Sequence, residues 1–251
     1  MTRMNWKSTL QNVVRDLVEA LFPPVVTCPL CQAPAKDWLC SDCEKYFSGY
    51  HQQEFCRKCG KFVSNVVGEI CFDCSRGETY AFWFNRGVAP YQGLSKEILY
   101  QLKYTGRQKL AQAMGLLMAE VILQEPRYRQ MDLVVPVPIG PNKLQARGFN
   151  QGELLAGQIA KVIGLPMGLV LAKPIDTPAQ AKQDKYTRQQ QVKGAYRVMQ
   201  PELVAGQRVL LVDDVFTTGS TVSECAQVLA EAGANLVAVI TWATGSDEDK
   251  Q

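Results

Sequence analysis

The chain has no run of about 18 apolar residues, so nothing in it reads as a membrane span. It lacks a continuous apolar stretch near its start, because Arg15, Asp16 and Glu19 interrupt that region, and a secretory signal is not expected. It also lacks a dominant charge. A formal net charge of +3 neither demands nor forbids a nucleic-acid partner, since a basic face can sit within a near-neutral total. These absences make the cytoplasm the expected location, with the inner face of the membrane as the alternative. What is present is ordinary in bulk: 251 residues, 47% hydrophobic and 20% charged, enough for one large core and a small module.

Trp6, Leu10, Val13, Val14, Leu17, Val18, Leu21 and Phe22 recur at helical spacing, and Pro23-Pro24 ends the pattern. This predicts an amphipathic helix over 1–24. Its polar face mixes cations with acids, so it is read as packed on the protein rather than laid on a membrane. From Cys28 to Cys74 the chain turns cysteine-rich and short-looped. From Ala81 onward apolar strands alternate with helices: strands over Ala81–Val88, Leu133–Val135, Leu169–Leu171, Val209–Val212 and Leu236–Trp242, and helices over Leu94–Tyr104, Lys109–Gln124, Asn150–Ile163 and Thr221–Ala232. That alternation predicts an α/β fold with a mainly parallel sheet and flanking helices. The expected domains are a module over 25–78, an α/β domain over 79–245 and a frayed acidic tail over 246–251.

The most informative segment is Val209–Thr221. Four apolar residues lead to Asp213-Asp214, then Val215-Phe216, then Thr217-Thr218-Gly219-Ser220-Thr221 and a helix. In open α/β sheets ligands bind beyond the carboxyl ends of strands. A loop running onto a helix N-terminus offers N–H groups and a favourable dipole to an anion. Gly219 lets the backbone curl around that anion, and the Thr and Ser hydroxyls add donors. Two ionised carboxylates accept from the two hydroxyls of a ribose diol. Phosphate cradle and diol acceptor together describe a ribose 5-phosphate. The motif is not a Walker A loop, which needs Gly-Lys-Ser/Thr. The run resembles, position by position, the phosphoribosyl pyrophosphate motif of type I phosphoribosyltransferases.

Nine cysteines in a reducing compartment are not expected to form disulfides. Cys28-x-x-Cys31 with Cys40-x-x-Cys43, and Cys56-x-x-Cys59 with Cys71-x-x-Cys74, have the spacing of paired metal knuckles and read as a double zinc ribbon. Iron–sulfur binding is the rival, because thiolates hold both, and the spacing leaves pairing across the quartets open. Four cysteines close each site, so the role is structural. The one histidine, His51, reads as a surface residue, and Cys225 as a small buried one.

Pro136-Val137-Pro138 is followed by Lys143, Arg147, Gly148, Phe149, Asn150 and Gln151, a basic loop leading into a helix and suited to pyrophosphate. Lys103, in Leu-Lys-Tyr-Thr-Gly after a helix, is a candidate to reach the site, although facing solvent is the more usual outcome for a lysine. Ala172–Lys193 is polar and reads equally as a solvated linker or, by resemblance to type I phosphoribosyltransferases, as the loop with Gln180 and Arg188 that closes over substrate.

Phe-Pro-Pro before paired cysteines, Leu-Lys-Tyr-x-Gly, Pro-Val-Pro, Arg-Gly-Phe-Asn-Gln and the full Asp-Asp motif together resemble the ComF family, phosphoribosyltransferase-like proteins linked to DNA uptake in natural transformation. Lys173, Ile175 and Asp176 depart from the arginine and aromatic expected near the start of the flexible loop. The resemblance implies that phosphoribosyl pyrophosphate binds with Mg²⁺ through Asp213, Asp214, Thr217, Thr218, Gly219, Ser220 and Thr221. It implies one of two activities: transfer of a phosphoribosyl group to an acceptor, or handling of single-stranded DNA with phosphoribosyl pyrophosphate as a regulatory ligand. Competence-machinery proteins are the partners it implies. Trp38, Phe47, Tyr50, Phe55 and Phe62 are available to stack on bases, though packing is the commoner use of such residues.

Overall fold

The computed structural model describes residues 26–63, 69–77, 79–174 and 194–245. The expected helix over 1–24, the flexible-loop residues Ile175, Asp176, Gln180 and Arg188, and the tail over 246–251 lie outside the described residues. The chain divides into two compact units, 1–44 and 45–251.

In the first unit Val26–Thr27 (β1) pairs antiparallel with Pro34–Ala35 (β2). Between them Cys28 N donates to Ala33 O at 2.8 Å and Gln32 N to Cys28 O at 2.8 Å, closing a tight knuckle. Ser41–His51, whose residues from Lys45 onward belong to the second unit, forms a helix (α1) where short loops were expected. Its apolar periodicity is thin, which hides it in the sequence, while Asp42 and Glu44 in its first turn favour the positive end of the helix dipole.

The second unit contains Phe72–Ser75 (α2), Asn85–Pro90 (β3), Gly93–Tyr104 (α3), Leu110–Gln124 (α4), Leu133–Pro136 (β4), Pro141–Arg147 (α5), Gln151–Ile163 (α6), Leu171–Ala172 (β5), Arg197–Val198 (β6), Arg208–Phe216 (β7), Ser220–Glu231 (α7) and Leu236–Thr244 (β8). β3, β8, β7 and β4 form a parallel sheet in that order, and β5 pairs antiparallel with β6. The expected α/β architecture is what forms. Its strands are apolar along their length because both faces are covered. Val135, Val209, Leu211, Val237 and Val239 share a core with Val222, Cys225, Ala226 and Leu229 of α7. Leu210, Val212, Ile240 and Trp242 alternate with them, are fully buried, and face the other side. There Trp242 Nε1 donates to Ser95 O of α3 at 2.9 Å.

Boundaries differ from expectation in instructive ways. The first sheet strand starts at Asn85 rather than Ala81, although Trp83 N already donates to Val237 O at 2.7 Å. The short strand expected at Leu169–Leu171 forms at Leu171–Ala172. β7 continues four residues past Val212, carried by its pairing with β8 as far as Phe216↔Thr244. β4 stops at Pro136↔Val212. Asp213 and Asp214 are therefore held in a strand whose other edge has lost its neighbour, and that vacated edge opens the cleft described next.

Candidate functional site

A cleft of about 490 Å³ opens where β4 ends, lined by Asp213 and Asp214 of β7, Lys143 and Arg147 of α5, Lys103 and Tyr104 of α3, Gln151 of α6, Lys173, Tyr196 and Thr221. The structure thus gathers the two carboxylates, the two basic residues and one end of the hydroxyl turn around one space. Thr217, Thr218 and Gly219 form the turn between β7 and α7, Ser220 is the first residue of α7, and none of the four lines the cleft.

Each side is built by local rules. Gly219 has φ +78°, and a Cβ there would lie 2.5 Å from the Phe216 ring and 2.7 Å from the Tyr80 ring. Only glycine suits both that conformation and that contact. The turn is braced by Thr218 Oγ1 and Ser220 Oγ at 2.9 Å. Gly219 is also the N-cap of α7 and brings no side chain to cap it, so the helix presents its N-terminus to an anion.

Lys143 and Arg147 were expected on a loop; they lie on α5, a seven-residue helix. Pro141 starts it and Gly148, at φ +80°, stops it. It buries none of its residues, so it leaves no apolar period to read. Asn150 caps α6 by accepting from Gly152 N at 2.9 Å and ties that helix to the end of β4 by donating to Val137 O at 3.1 Å. Gly152 is required by closeness: a Cβ there would lie 2.9 Å from Val137 O.

The carboxylates are buried, Asp213 to 9% and Asp214 to 6% exposure. Consecutive strand residues face opposite sides. Asp214 accepts from Lys103 Nζ at 2.7 Å and from Gln151 Nε2, while Arg147 donates to Gln151 Oε1. Burial alone would lower the Lys103 pKa, but the Asp214 carboxylate outweighs it and the net shift is upward. Lys103 thus reaches the site instead of facing solvent, the more usual outcome for a lysine; the Leu-Lys-Tyr-x-Gly motif was the signal for it. Asp213 accepts from Asp214 N at 2.8 Å. Burial, then the neighbouring Asp214 charge, push its carboxyl up to about 7.

The cysteines gather as Cys28, Cys31, Cys40 and Cys43, and as Cys56, Cys59, Cys71 and Cys74, with sulfurs within 4.8 Å of one another in each group. Four thiolates on one Zn²⁺ at about 2.3 Å stand roughly 3.8 Å apart, so the donor sets suit the metal. Cys31 and Cys40 sulfurs lie at 3.4 Å, and Cys59 and Cys71 sulfurs at 3.6 Å. The second group is part of the apolar core that includes α7. Asn85 of β3 donates through Nδ2 to Cys59 O at 2.9 Å, and Gly60 packs so closely that a Cβ would lie 2.6 Å from Asn85 O. His51, expected at the surface, has a side chain only 14% exposed. Cys225 is fully buried, as expected.

Residues 150–251 match the phosphoribosyl transferase domain family and residues 17–75 the double zinc ribbon domain. The DNA utilization protein YhgH of Salmonella typhi is 30% identical over 221 residues, spanning 84% of this chain and 94% of that one. The chain belongs to the ComF family. Competence protein F of Haemophilus influenzae is 26% identical to this ComF-family chain over 211 residues, 82% of this chain and 90% of that one. Among solved structures, glutamine phosphoribosylpyrophosphate amidotransferase from B. subtilis aligns over 53% of this ComF-family chain and 26% of that chain at 24% identity, with a TM-score of 0.37. The family match makes the two cysteine quartets the sites of a double zinc ribbon. Among the described residues no helix is long and apolar enough to cross a membrane.

Proposed function

We propose that this phosphoribosyltransferase-like protein binds phosphoribosyl pyrophosphate in the cleft at the end of β7 and acts in the handling of DNA taken up by the cell. One observation carries the reading: the Asp213-Asp214 pair, Thr221 at the end of the turn onto α7 and the Lys143/Arg147 helix meet around a single cleft. The 5-phosphate sits on the turn formed by Thr217, Thr218, Gly219, Ser220 and Thr221, where N–H groups, hydroxyls and the dipole of α7 all favour it. The ribose hydroxyls donate to Asp213 and Asp214. The pyrophosphate faces Lys143 and Arg147, with Arg147 suited to a bidentate grip. Mg²⁺, if bound in the cleft beside Asp213 and Asp214, would supply charge neutralisation for the pyrophosphate.

The role in DNA handling draws on the names of the relatives, DNA utilization protein and competence protein. It is favoured by one surface feature. Tyr100 and Tyr104 are 60% and 64% exposed, their rings lie 4.9 Å apart, and the Arg147 guanidinium stands 5.5 Å from the Tyr104 ring at the mouth of the cleft. Exposed aromatics interleaved with cations suit single-stranded nucleic acid.

Calorimetry with phosphoribosyl pyrophosphate and Mg²⁺ tests the central reading. Wild type is expected to bind and Asp213→Ala/Asp214→Ala to lose at least tenfold in affinity, about 1.4 kcal/mol. No heat of binding with folded wild type would sink it. Pyrophosphate release with candidate acceptors separates a transferase from a binding protein. Gel shifts with single-stranded DNA across a salt series test the DNA role, and no shift even at low salt would remove it.

A further inference from the structure

A second cavity, of about 230 Å³, is lined by His51, Phe55, Arg57, Arg86, Glu125 and the last turns of α4. Arg86 is the residue that needs explaining. It is 4% exposed, and among the described residues no carboxylate stands within ion-pair distance of it. Its recorded hydrogen bond is from Nη1 to Gly87 O at 3.0 Å. The flat face of the guanidinium rests 3.6 Å from the Phe55 ring centre, with Phe62 at 5.1 Å. Stacking uses the face and leaves the in-plane N–H groups at the edge. A buried cation without an anionic partner is expensive. Burial accordingly lowers the Arg86 pKa to about 10.

The same cavity holds a second unsatisfied group. His51 Nε2 is buried and has no hydrogen-bond partner, while Nδ1 stands 4.0 Å from Glu120. Arg57, half-exposed at the rim, stands 3.7 Å from Glu125, but Glu125 is already gripped by Arg127 at 3.0 Å and 2.9 Å. Arg57 also stands 4.0 Å from the exposed Glu69, so Arg57, Arg86 and Arg127 face two carboxylates between them, and neither is in ion-pair reach of Arg86.

We propose that this cavity is an anion site for a phosphate group, separate from the cleft at β7, with Arg86 gripping it through its free edge, His51 Nε2 donating to it and Arg57 closing the rim. Phosphate carries between one and two negative charges near neutral pH and accepts bidentate arginine contacts, which a neutral ligand would not exploit as fully.

His51 is the one histidine in the chain, so it is a built-in reporter. The experiment titrates zinc-loaded protein carrying isotope-labelled histidine with inorganic phosphate at fixed pH and follows the imidazole signals. The expected result is a saturable shift in wild type and in the phosphate-turn variant Thr218→Val. Arg86→Gln is expected to abolish it, and Arg57→Gln to weaken it about tenfold, the worth of one charge-assisted contact. Because Arg86→Gln removes a buried group and can unfold the protein, the half-exposed Arg57 variant decides in that event. An unmoved His51 signal in wild type, or an identical titration in wild type and Arg57→Gln, overturns the proposal. A shift lost in Thr218→Val also overturns it, by tracing the phosphate to the β7 cleft. A parallel titration with thymidine 5′-monophosphate identifies the source: binding tighter than free phosphate marks a nucleotide's terminal phosphate, and equal binding marks the free ion.

Discussion

Asp214 is held by side chains from two helices, Lys103 of α3 and Gln151 of α6, whereas Asp213, the residue before it, is met by a backbone N–H and faces the buried side of α7. Both are almost fully buried. The contrast divides the cleft into two halves. On the α3/α6 half the Asp214 carboxylate is matched before any ligand arrives, by Lys103 and by Gln151, which Arg147 in turn holds. On the α7 half a carboxyl sits where burial favours its neutral form. A ligand therefore has to displace contacts on one side and supply them on the other.

The largest effect expected from breaking this asymmetry is on the matched half. Lys103→Met leaves Asp214 buried with its cation removed, which costs about 3–5 kcal/mol. Thermal denaturation would show it as a fall of roughly 10 °C or more. Adding Asp214→Asn to that variant removes the orphaned charge and is expected to restore most of the loss. If the double variant is no more stable than the single one, the pairing is not what holds this half together.

The unmatched half should respond with the opposite sign. The Asp213 carboxyl titrates near 7 in the folded protein and at 3.8 in an unfolded chain. A raised pKa means the folded state holds the proton more tightly. The stability this gives is complete below the unfolded value and is lost as pH rises through about 7. Asp213→Asn keeps the acceptor for Asp214 N and removes the ionisation. It is expected to stabilise the protein by roughly 2 kcal/mol at about pH 8 and to change little near pH 4. A variant that destabilises at both pH values would show that Asp213 is held by contacts as favourable as those of Asp214. A gain in stability at the expense of ligand binding is the pattern of a group kept for function.

What the sequence made legible follows the same physics. The β7 motif and the cysteine quartets are read from local rules, because backbone geometry, hydroxyl donors and knuckle spacing are all encoded within a few neighbouring residues. The sheet was equally visible in its apolar runs. Three features were not. α5 buries nothing, so its turn of helix has no periodic signature. Lys103 meets Asp214 across 111 residues of chain, and the Leu-Lys-Tyr-x-Gly motif that marks the lysine does not name its partner. His51 and Arg86 become informative only when the fold brings α1, β3 and α4 to one cavity. Long-range pairing of charges is a property of the packed structure, and the sequence shows only the residues available for it.

The smallest predicted effect sharpens the comparison at the level of the ligand. If the ribose hydroxyls donate to Asp213, they bind its ionised form more strongly, since a charged acceptor makes the stronger hydrogen bond. Affinity for phosphoribosyl pyrophosphate should then fall as pH drops through about 7, where Asp213 takes up its proton. The expected change is about 1 kcal/mol, or some fivefold in Kd, over the titration. The ligand's own phosphates also titrate in this range, so wild type is compared with Asp213→Asn, in which the protein contribution is absent and only the ligand's remains. A steeper pH profile in wild type than in Asp213→Asn assigns the difference to this carboxyl. Superimposable profiles would place the diol on Asp214 alone, and would require the Lys103 contact to give way when the ligand enters.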